Sequence, residues 1–261
     1  MLPTQRRQAI LAEVRQARAV SAEDLARRFG VSLETIRRDL RGLRDKGLLE
    51  RVYGGALSVR STEGDFATRS TLHAANKRAI AQLAVRLIEP QDTIVIDVGT
   101  TALEVARALP SAFRGRVLTN SVPVAMALAD REEIEIQLSG GQLRHGDAAC
   151  SGSHAETFFA EFYADKAFLG SGGVHAKAGL TDYHPPEVIT RRTIIGHAAE
   201  SYVLADSSKL GTIAVHRVCP LSRVTAVLTD PEATAEATEA LAIDCTVLRA
   251  TVPKAPYSGA P

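Results

Sequence analysis

Residues 32–56 read SLETIRRDLRGLRDKGLLERVYGGA, and this stretch decides the architecture of the front of the chain. Ile36, Leu40 and Leu43 recur at spacings of four and three, which an α-helix turns onto one side. Ser32 stands where an N-cap hydroxyl belongs, and Gly47 ends the pattern. At about 100° per residue, Glu34, Arg38 and Arg41 fall opposite the aliphatic stripe, with Thr35 and Arg37 on its flanks. Beyond Gly47, the runs LLERVY and ALSV flank Gly54-Gly55, a pair able to take the positive φ angles of a tight hairpin turn.

Working outward, residues 5–18 place Ile10, Val14 and Ala17 on one stripe of a first helix. Ser21 caps a second helix whose first turn carries Glu23 and Asp24 and whose end is Gly30. Two helices joined through Gly30-Val31, followed by a hairpin, make a winged helix-turn-helix. The later helix of that motif enters the DNA major groove. Arg38 is therefore assigned to guanine, where its planar fork donates two bonds, and Ser32, Arg37 and Arg41 to phosphates. Glu34 and Thr35 share that face, and Arg51 of the wing reaches the backbone beside the groove.

Charge agrees with this placement. Residues 1–60 hold 13 Arg or Lys against 7 Asp or Glu, a net +6, whereas the whole chain of 261 residues has a formal net charge of only +1. An anionic polymer is the partner such asymmetry suits.

The same stretch resembles the DeoR-type winged helix-turn-helix: a serine, the string Thr35-Ile36-Arg37-Arg38-Asp39-Leu40 and a closing glycine pair recur in this order. The resemblance implies a bacterial repressor of catabolic genes, usually with a sugar-phosphate effector domain behind the DNA head. Phe66 and Arg69 resemble that family's phenylalanine-arginine signature.

Residues 59–75 are rich in Ser, Thr and Gly and read as a linker between a head, 1–58, and a body, 76–250. The body alternates helical stretches with short β-branched runs at 93–96, 117–119, 134–138, 167–169, 202–204, 224–228 and 246–248. That alternation predicts βαβ crossovers and an α/β fold with a mainly parallel sheet. In such sheets ligands bind at the carboxyl ends of the strands. Asp97-Val98-Gly99-Thr100-Thr101 opens a helix after the first strand, so unpaired N–H groups and two hydroxyls meet as a phosphate cradle. Thr119-Asn120-Ser121, Ser139-Gly140-Gly141, Gly170-Ser171-Gly172-Gly173 and Asp206-Ser207-Ser208-Lys209 end the next four strands.

These segments are similar to those of the DeoR effector domain, which is related to ribose phosphate isomerases and coenzyme A transferases. The resemblance implies that Gly99, Thr100, Thr101 and Ser121 hold a phosphate, while Asp97, Asn120, Glu187 and Lys209 meet sugar hydroxyls or a second anionic group. A phosphorylated sugar, operator DNA and a second copy of the chain, as dimer or tetramer, are the partners it implies.

Other classes find less support. Cys150, Cys219 and Cys245 are far apart, and the histidines show no metal-ligand spacing, so neither disulfides, a metal nor a cofactor is expected. No run of eighteen apolar residues occurs and arginines interrupt the N-terminal apolar stretches, which predicts a cytoplasmic protein without membrane contact. An enzymatic alternative, a sugar-phosphate isomerase or transferase with a DNA-binding head, would use Asp97, Glu187 or Lys209 as acid-base groups. Residues 251–261 contain three prolines and no periodicity, and are expected to be a flexible tail.

Overall fold

A computed structural model describes residues 3–17, 19–44, 50–52, 55–57 and 65–251. It divides into two compact units, Met1–Thr62 and Glu63–Pro261. The side chain of Arg51, most of the stretch expected to be a tail, and Gly54 of the wing turn lie outside the described residues.

In the first unit, helix α1 (Pro3–Ala17) leads into strand β1 (Ala19–Ser21), helices α2 (Ala22–Phe29) and α3 (Leu33–Arg44), and strands β2 (Glu50–Val52) and β3 (Gly55–Leu57). Each helix boundary has a local chemical cause. Ser21 Oγ accepts from the N–H of Glu23 at 3.2 Å, and Gly30, at φ 63°, ends α2 in the left-handed conformation. Ser32 Oγ then accepts from Thr35 N–H at 3.2 Å and starts α3. The three strands form an antiparallel sheet in the order β1-β3-β2, with Val52 opposite Gly55. Ile10, Val14, Leu25, Ile36, Leu40 and Leu43 are all buried and form the core of the unit.

That core has a polar anchor. Asp39 projects from α3 into the interior, where it accepts from Arg6 Nε at 2.7 Å and Arg7 Nε at 2.8 Å. Arg6 and Asp39 are both buried, so this pair fixes how α3 lies against α1.

The second unit opens with α4 (Phe66–Thr71) and α5 (Ala74–Ala84). Helix α4 falls within the expected linker, which is therefore corrected over these residues. Asp65 and Thr68, polar enough to suit a loop, are instead cap partners, the Asp65 carboxylate accepting from Thr68 N–H at 2.8 Å. Phe66 packs on the core.

Seven strands follow in the main sheet: β4 (Thr93–Ile96), β5 (Arg116–Thr119), β6 (Glu135–Leu138), then β9 (Ala164–Leu169), β12 (Ala198–Leu204), β14 (Ala226–Thr229) and β15 (Thr246–Arg249). They correspond to the seven runs marked in the sequence. A hairpin, β7 (Gln142–Arg144) and β8 (Ala149–Ser151), and a small antiparallel sheet of β10 (Gly173–His175), β11 (Gly179–Asp182) and β13 (His216–Cys219) were not anticipated. Their strands mix glycine, polar and charged residues and lack the continuous apolar runs of the main sheet.

The main sheet runs β15-β14-β12-β9-β4-β5-β6, and every pairing in it is parallel. Helices cover both faces. On one face α5, α6 (Thr100–Ala108) and α7 (Val122–Leu128) pack over Ile94, Ile96, Phe168 and Leu228. On the other, α8 (Ser153–Ala160) and α9 (Pro185–Gly196) pack over Val95, Leu118, Leu169 and Val203, while α10 (Ala235–Ala242) precedes β15. Burial on both sides explains why these strands are continuous apolar runs rather than alternating ones.

The order has a functional consequence. From β4 the chain builds outward to β5 and β6, then returns to place β9 on the opposite side of β4. The carboxyl ends of β4 and β9 thus flank the point where strand order reverses, the place where open α/β sheets leave a crevice.

Replacing Asp39 with Ala leaves Arg6 buried without its carboxylate, an uncompensated charge that costs about 3–5 kcal/mol. We expect Asp39→Ala to raise amide exchange throughout α1 and α3 of the intact chain, with exchange in the seven-stranded sheet unchanged.

Candidate effector site and DNA-contacting face

Helix α3 turns Ile36, Leu40 and Leu43 inward and leaves Glu34, Arg37, Arg38 and Arg41 exposed. Thr35 is half-buried, its hydroxyl 2.8 Å from that of Ser32. Arg37 lies 3.9 Å from Glu34, a distant and solvated pair. Arg38 and Arg41 make no ion pair among the described residues. Such a row of like charges on one helical face suits a polyanion.

In the second unit, the strand ends combine glycine geometry with unsatisfied polar atoms. Gly99 sits at φ 124° immediately before α6, and a Cβ built there would meet nothing within 4 Å. The glycine is required by its backbone angle, and open space lies beside the first turn of α6, whose leading N–H groups lack intrahelical acceptors. Thr100 is buried and Thr101 half-buried. At the adjoining end of β5, Thr119 donates to Ile96 O at 2.6 Å and accepts from Ser121 N–H at 3.0 Å. Ser121 caps α7 by accepting from Val124 N–H at 3.3 Å. The Thr119 hydroxyl thus ties the ends of β4 and β5 together, while that of Ser121 serves the start of α7.

Asp97 and Asn120 differ from those two. Asp97 Oδ2 accepts from Gly170 N–H at 2.9 Å and Arg191 Nε at 2.6 Å, while its buried Oδ1 has no hydrogen-bond partner. Asn120 Nδ2 donates to Cys150 O at 3.3 Å, and its Oδ1 is likewise buried without a partner. Two orphaned acceptors on neighbouring strand ends are unfavourable, by roughly 1–3 kcal/mol each, unless a donor meets them.

The predicted glycines serve different purposes. Cβ atoms at Gly172 and Gly173 would lie 2.9 Å from Asp182 Cα and 2.5 Å from Thr212 O, so these two permit close packing around β10. One at Gly141 would lie 2.6 Å from Ser151 O, while Gly140 faces open space at φ 66°. Asp206 accepts from Ser208 N–H at 3.1 Å, starting the short turn that carries Lys209. Lys209 Nζ lies 3.5 Å from Gly172 O and 5.9 Å from the centre of the Tyr183 ring.

Glu187 belongs to a buried ion cluster that sequence reasoning did not resolve. Arg191 binds Asp97, Asp182 and Glu187 at once, the last at 3.1 Å. Arg144 in turn pairs with Glu187 and Asp147, and Asp147 lies 3.9 Å from Arg69. Four carboxylates therefore share three guanidiniums. Burial pushes the Glu187 carboxyl up to about 8, a shift to which Asp182 and Asp97 add and which Arg191 and Arg144 oppose. Asp182 is also burdened by burial, but the Arg191 charge and the His184 N–H draw its carboxyl below the ordinary range.

Lys77 of α5 was also missed. Its Nζ donates to Leu72 O at 2.8 Å and to Arg69 O. Burial lowers its pKa, Asp206 opposes the shift, and Arg69 and Lys209 add to it. The signal was present: Lys77 occupies the same helical stripe as Ile80, Ala81 and Ala84, all buried, and Arg191 likewise shares its stripe with Val188, Ile194 and Ile195. A cation inside an apolar stripe marks a buried, paired position. Among the described residues, no group of three or more His, Cys, Asp or Glu is arranged to hold a metal.

Comparison with known proteins accords with this organisation. Residues 6–62 match the DeoR-like helix-turn-helix domain and residues 72–231 the DeoR C terminal sensor domain. A putative aga operon transcriptional repressor of Escherichia coli O157:H7 is 33% identical over 242 residues, covering 91% of this chain and 90% of its own. The glycerol-3-phosphate regulon repressor of Escherichia coli K12 is 36% identical over 231 residues, covering 88% and 92%. Among solved structures, ribose 5-phosphate isomerase A of Methanocaldococcus jannaschii aligns over 52% of this chain and 54% of its own, at 21% identity and TM-score 0.40.

Glu187, facing Arg191, Asp182, Arg144 and Asp97, has a folded pKa above its ordinary 4.5. Between 4.5 and about 8 the folded chain binds more protons than the unfolded one, so the stability contributed is present at low pH and lost as pH rises through that window. Melting temperatures measured across the window should fall more steeply with pH in the wild type than in Glu187→Gln; parallel curves would contradict the assignment.

Proposed function

The chain belongs to the DeoR family of transcriptional regulators, and on that premise we propose that it represses sugar-catabolism genes and is released from its operator by a phosphorylated sugar. It is a regulator rather than an enzyme. In this proposal α3 lies in the major groove, with Arg38 on a guanine, Glu34 and Thr35 beside the bases, and Ser32, Arg37, Arg41 and Arg51 on phosphates. The heads of a homo-oligomer occupy half-sites about 34 Å apart.

One observation carries the effector assignment: the orphaned Oδ1 atoms of Asp97 and Asn120 end adjacent strands next to the open first turn of α6. Hydroxyl groups of a sugar supply the donors those oxygens lack. A phosphate on the same molecule accepts from the N–H groups at Gly99–Thr101, with Lys77 and Lys209 supplying positive charge nearby. Thr119, Gly141, Gly172, Gly173 and Asp206 support the walls, and Gly140 and Ser121 stand at the rim. Glu187, clamped between two arginines, is suited to setting the position of Arg191 and, through it, of Asp97. The relatives named for an aga operon and a glycerol-3-phosphate regulon are consistent with a small phosphorylated polyol. No helix among the described residues is long and apolar enough to cross a membrane, which accords with a cytoplasmic regulator.

Two measurements test the proposal. In a thermal-shift screen, a phosphosugar at a hundred times its Kd stabilises the chain by about 2.7 kcal/mol; stabilisation by unphosphorylated sugars alone would overturn the phosphate assignment. In nuclease footprinting across the chain's own gene neighbourhood, a palindromic segment is protected. Arg38→Ala relaxes preference at one base position by about 1–3 kcal/mol, and an unchanged profile would remove Arg38 from base contact.

A further inference from the structure

The ion pairs around Glu187 do not stop at the strand-end site. From Asp97 they continue to Arg191 at 2.6 Å and Glu187 at 3.1 Å, then to Arg144 and Asp147, with Arg144 Nε 2.9 Å from Asp147 Oδ1, and on to Arg69 at 3.9 Å. These six side chains come from the β4–α6 connection, α9, the β7–β8 hairpin and α4. Their side-chain exposures are 1% for Asp97, 3% for Arg191 and Glu187, 23% for Arg144, 10% for Asp147 and 15% for Arg69. At such burial, mobile ions screen the pairs weakly, so a change at one member is felt by the next.

We propose that this line of pairs transmits occupancy of the strand-end site to α4, with Arg144 and Asp147 as the positioning residues that join its two halves. The proposal rests on the effector-site assignment above. Helix α4 is the first described element of the second unit and so the one nearest in sequence to the DNA-binding unit. Asp97 is the sensing end: a hydroxyl donating to its Oδ1 weakens the carboxylate's hold on Arg191, which then shifts toward Asp182 and Glu187. Glu187 is the middle link, because its two oxygens serve different arginines on different elements. Arg144 is the branch point, bridging two carboxylates with one planar group, a geometry that an ammonium does not reproduce. At the far end Arg69 lies over the Phe66 ring at 5.7 Å, and its carbonyl accepts from Lys77. Movement of Arg69 therefore bears on the packing of α4 and on the lysine beside the site. The hairpin is held against the strand-end residues as well: Ala148, at φ 51°, accepts through its carbonyl from Val122 N–H at 3.1 Å, and Cys150 N–H donates to Asn120 O at 2.7 Å.

The test uses the intact chain and hydrogen–deuterium exchange read by mass spectrometry, with inorganic phosphate, glycerol 3-phosphate and ribose 5-phosphate as probes. Without any ligand, Glu187→Gln cuts the middle link, and exchange across 66–71 should rise several-fold while the seven-stranded sheet exchanges as in the wild type. An α4 unmoved by this substitution overturns the relay. With a probe that protects 97–101 in the wild type, exchange across 66–71 changes as well; Asp147→Asn should retain the protection of 97–101 and lose the response of α4. A surviving response in both Asp147→Asn and Arg144→Lys overturns the relay. A merely structural role for Asp147 would lower the melting temperature and loosen both segments together, without separating one response from the other. Failure of every probe to protect 97–101 would count against the effector site, while the ligand-free arm still decides the relay.

Discussion

A guanidinium at 3% side-chain exposure has given up almost all of its hydration, and it persists only where carboxylates and good geometry replace the water. Arg191 meets that requirement through three acids drawn from three places: Asp97 after β4, Asp182 at the end of β11, and Glu187 one turn back on its own helix. The relative positions of the β4 end, the small sheet and α9 follow from this single group. Its surplus of negative charge is also informative. More carboxylates than guanidiniums share the buried network, and burial weighs most on Glu187, raising its pKa.

The parallel sheet supplies the setting for that cluster. Because β4 lies between β9 and β5, strand order reverses here, the place where open α/β sheets form a ligand crevice. Backbones come close here, and the glycines reflect it: a Cβ at Gly170 would lie 2.5 Å from Val98 O. What the crevice presents is mixed. Thr119 and Ser121 spend their hydroxyls on backbone groups, whereas Asp97 and Asn120 each keep one acceptor unsatisfied. Residues similar in sequence position thus divide into those that build the site and those able to recognise a ligand.

The DNA-binding unit divides its arginines in the same manner. Arg6 is buried against Asp39, and Arg38, one residue before that aspartate, is exposed. Both lie in arginine pairs. The buried pair orients the helix, and the exposed side chains are those we propose face a duplex. A single aspartate between Arg38 and Leu40 therefore belongs to the recognition helix without belonging to its recognition surface.

The sequence by itself determined the helices of the head and the strands of the main sheet. Periodicities of 3.6 and continuous apolar runs placed the helices of the head and all seven strands of the main sheet, because burial on one or both faces leaves its imprint on neighbouring residues. Caps at Ser21 and Ser32 and the left-handed Gly30 were legible for the same reason, being contacts within three or four residues. The helix at 66–71 was obscured because capping side chains and loop side chains are of the same types. Only the tertiary structure decided which charges are buried and with whom. Arg144 and Glu187, or Asp97 and Arg191, are tens of residues apart, and no local pattern records a contact that depends on how the strands are ordered. The site, as distinct from the strand ends that carry it, is a product of that ordering.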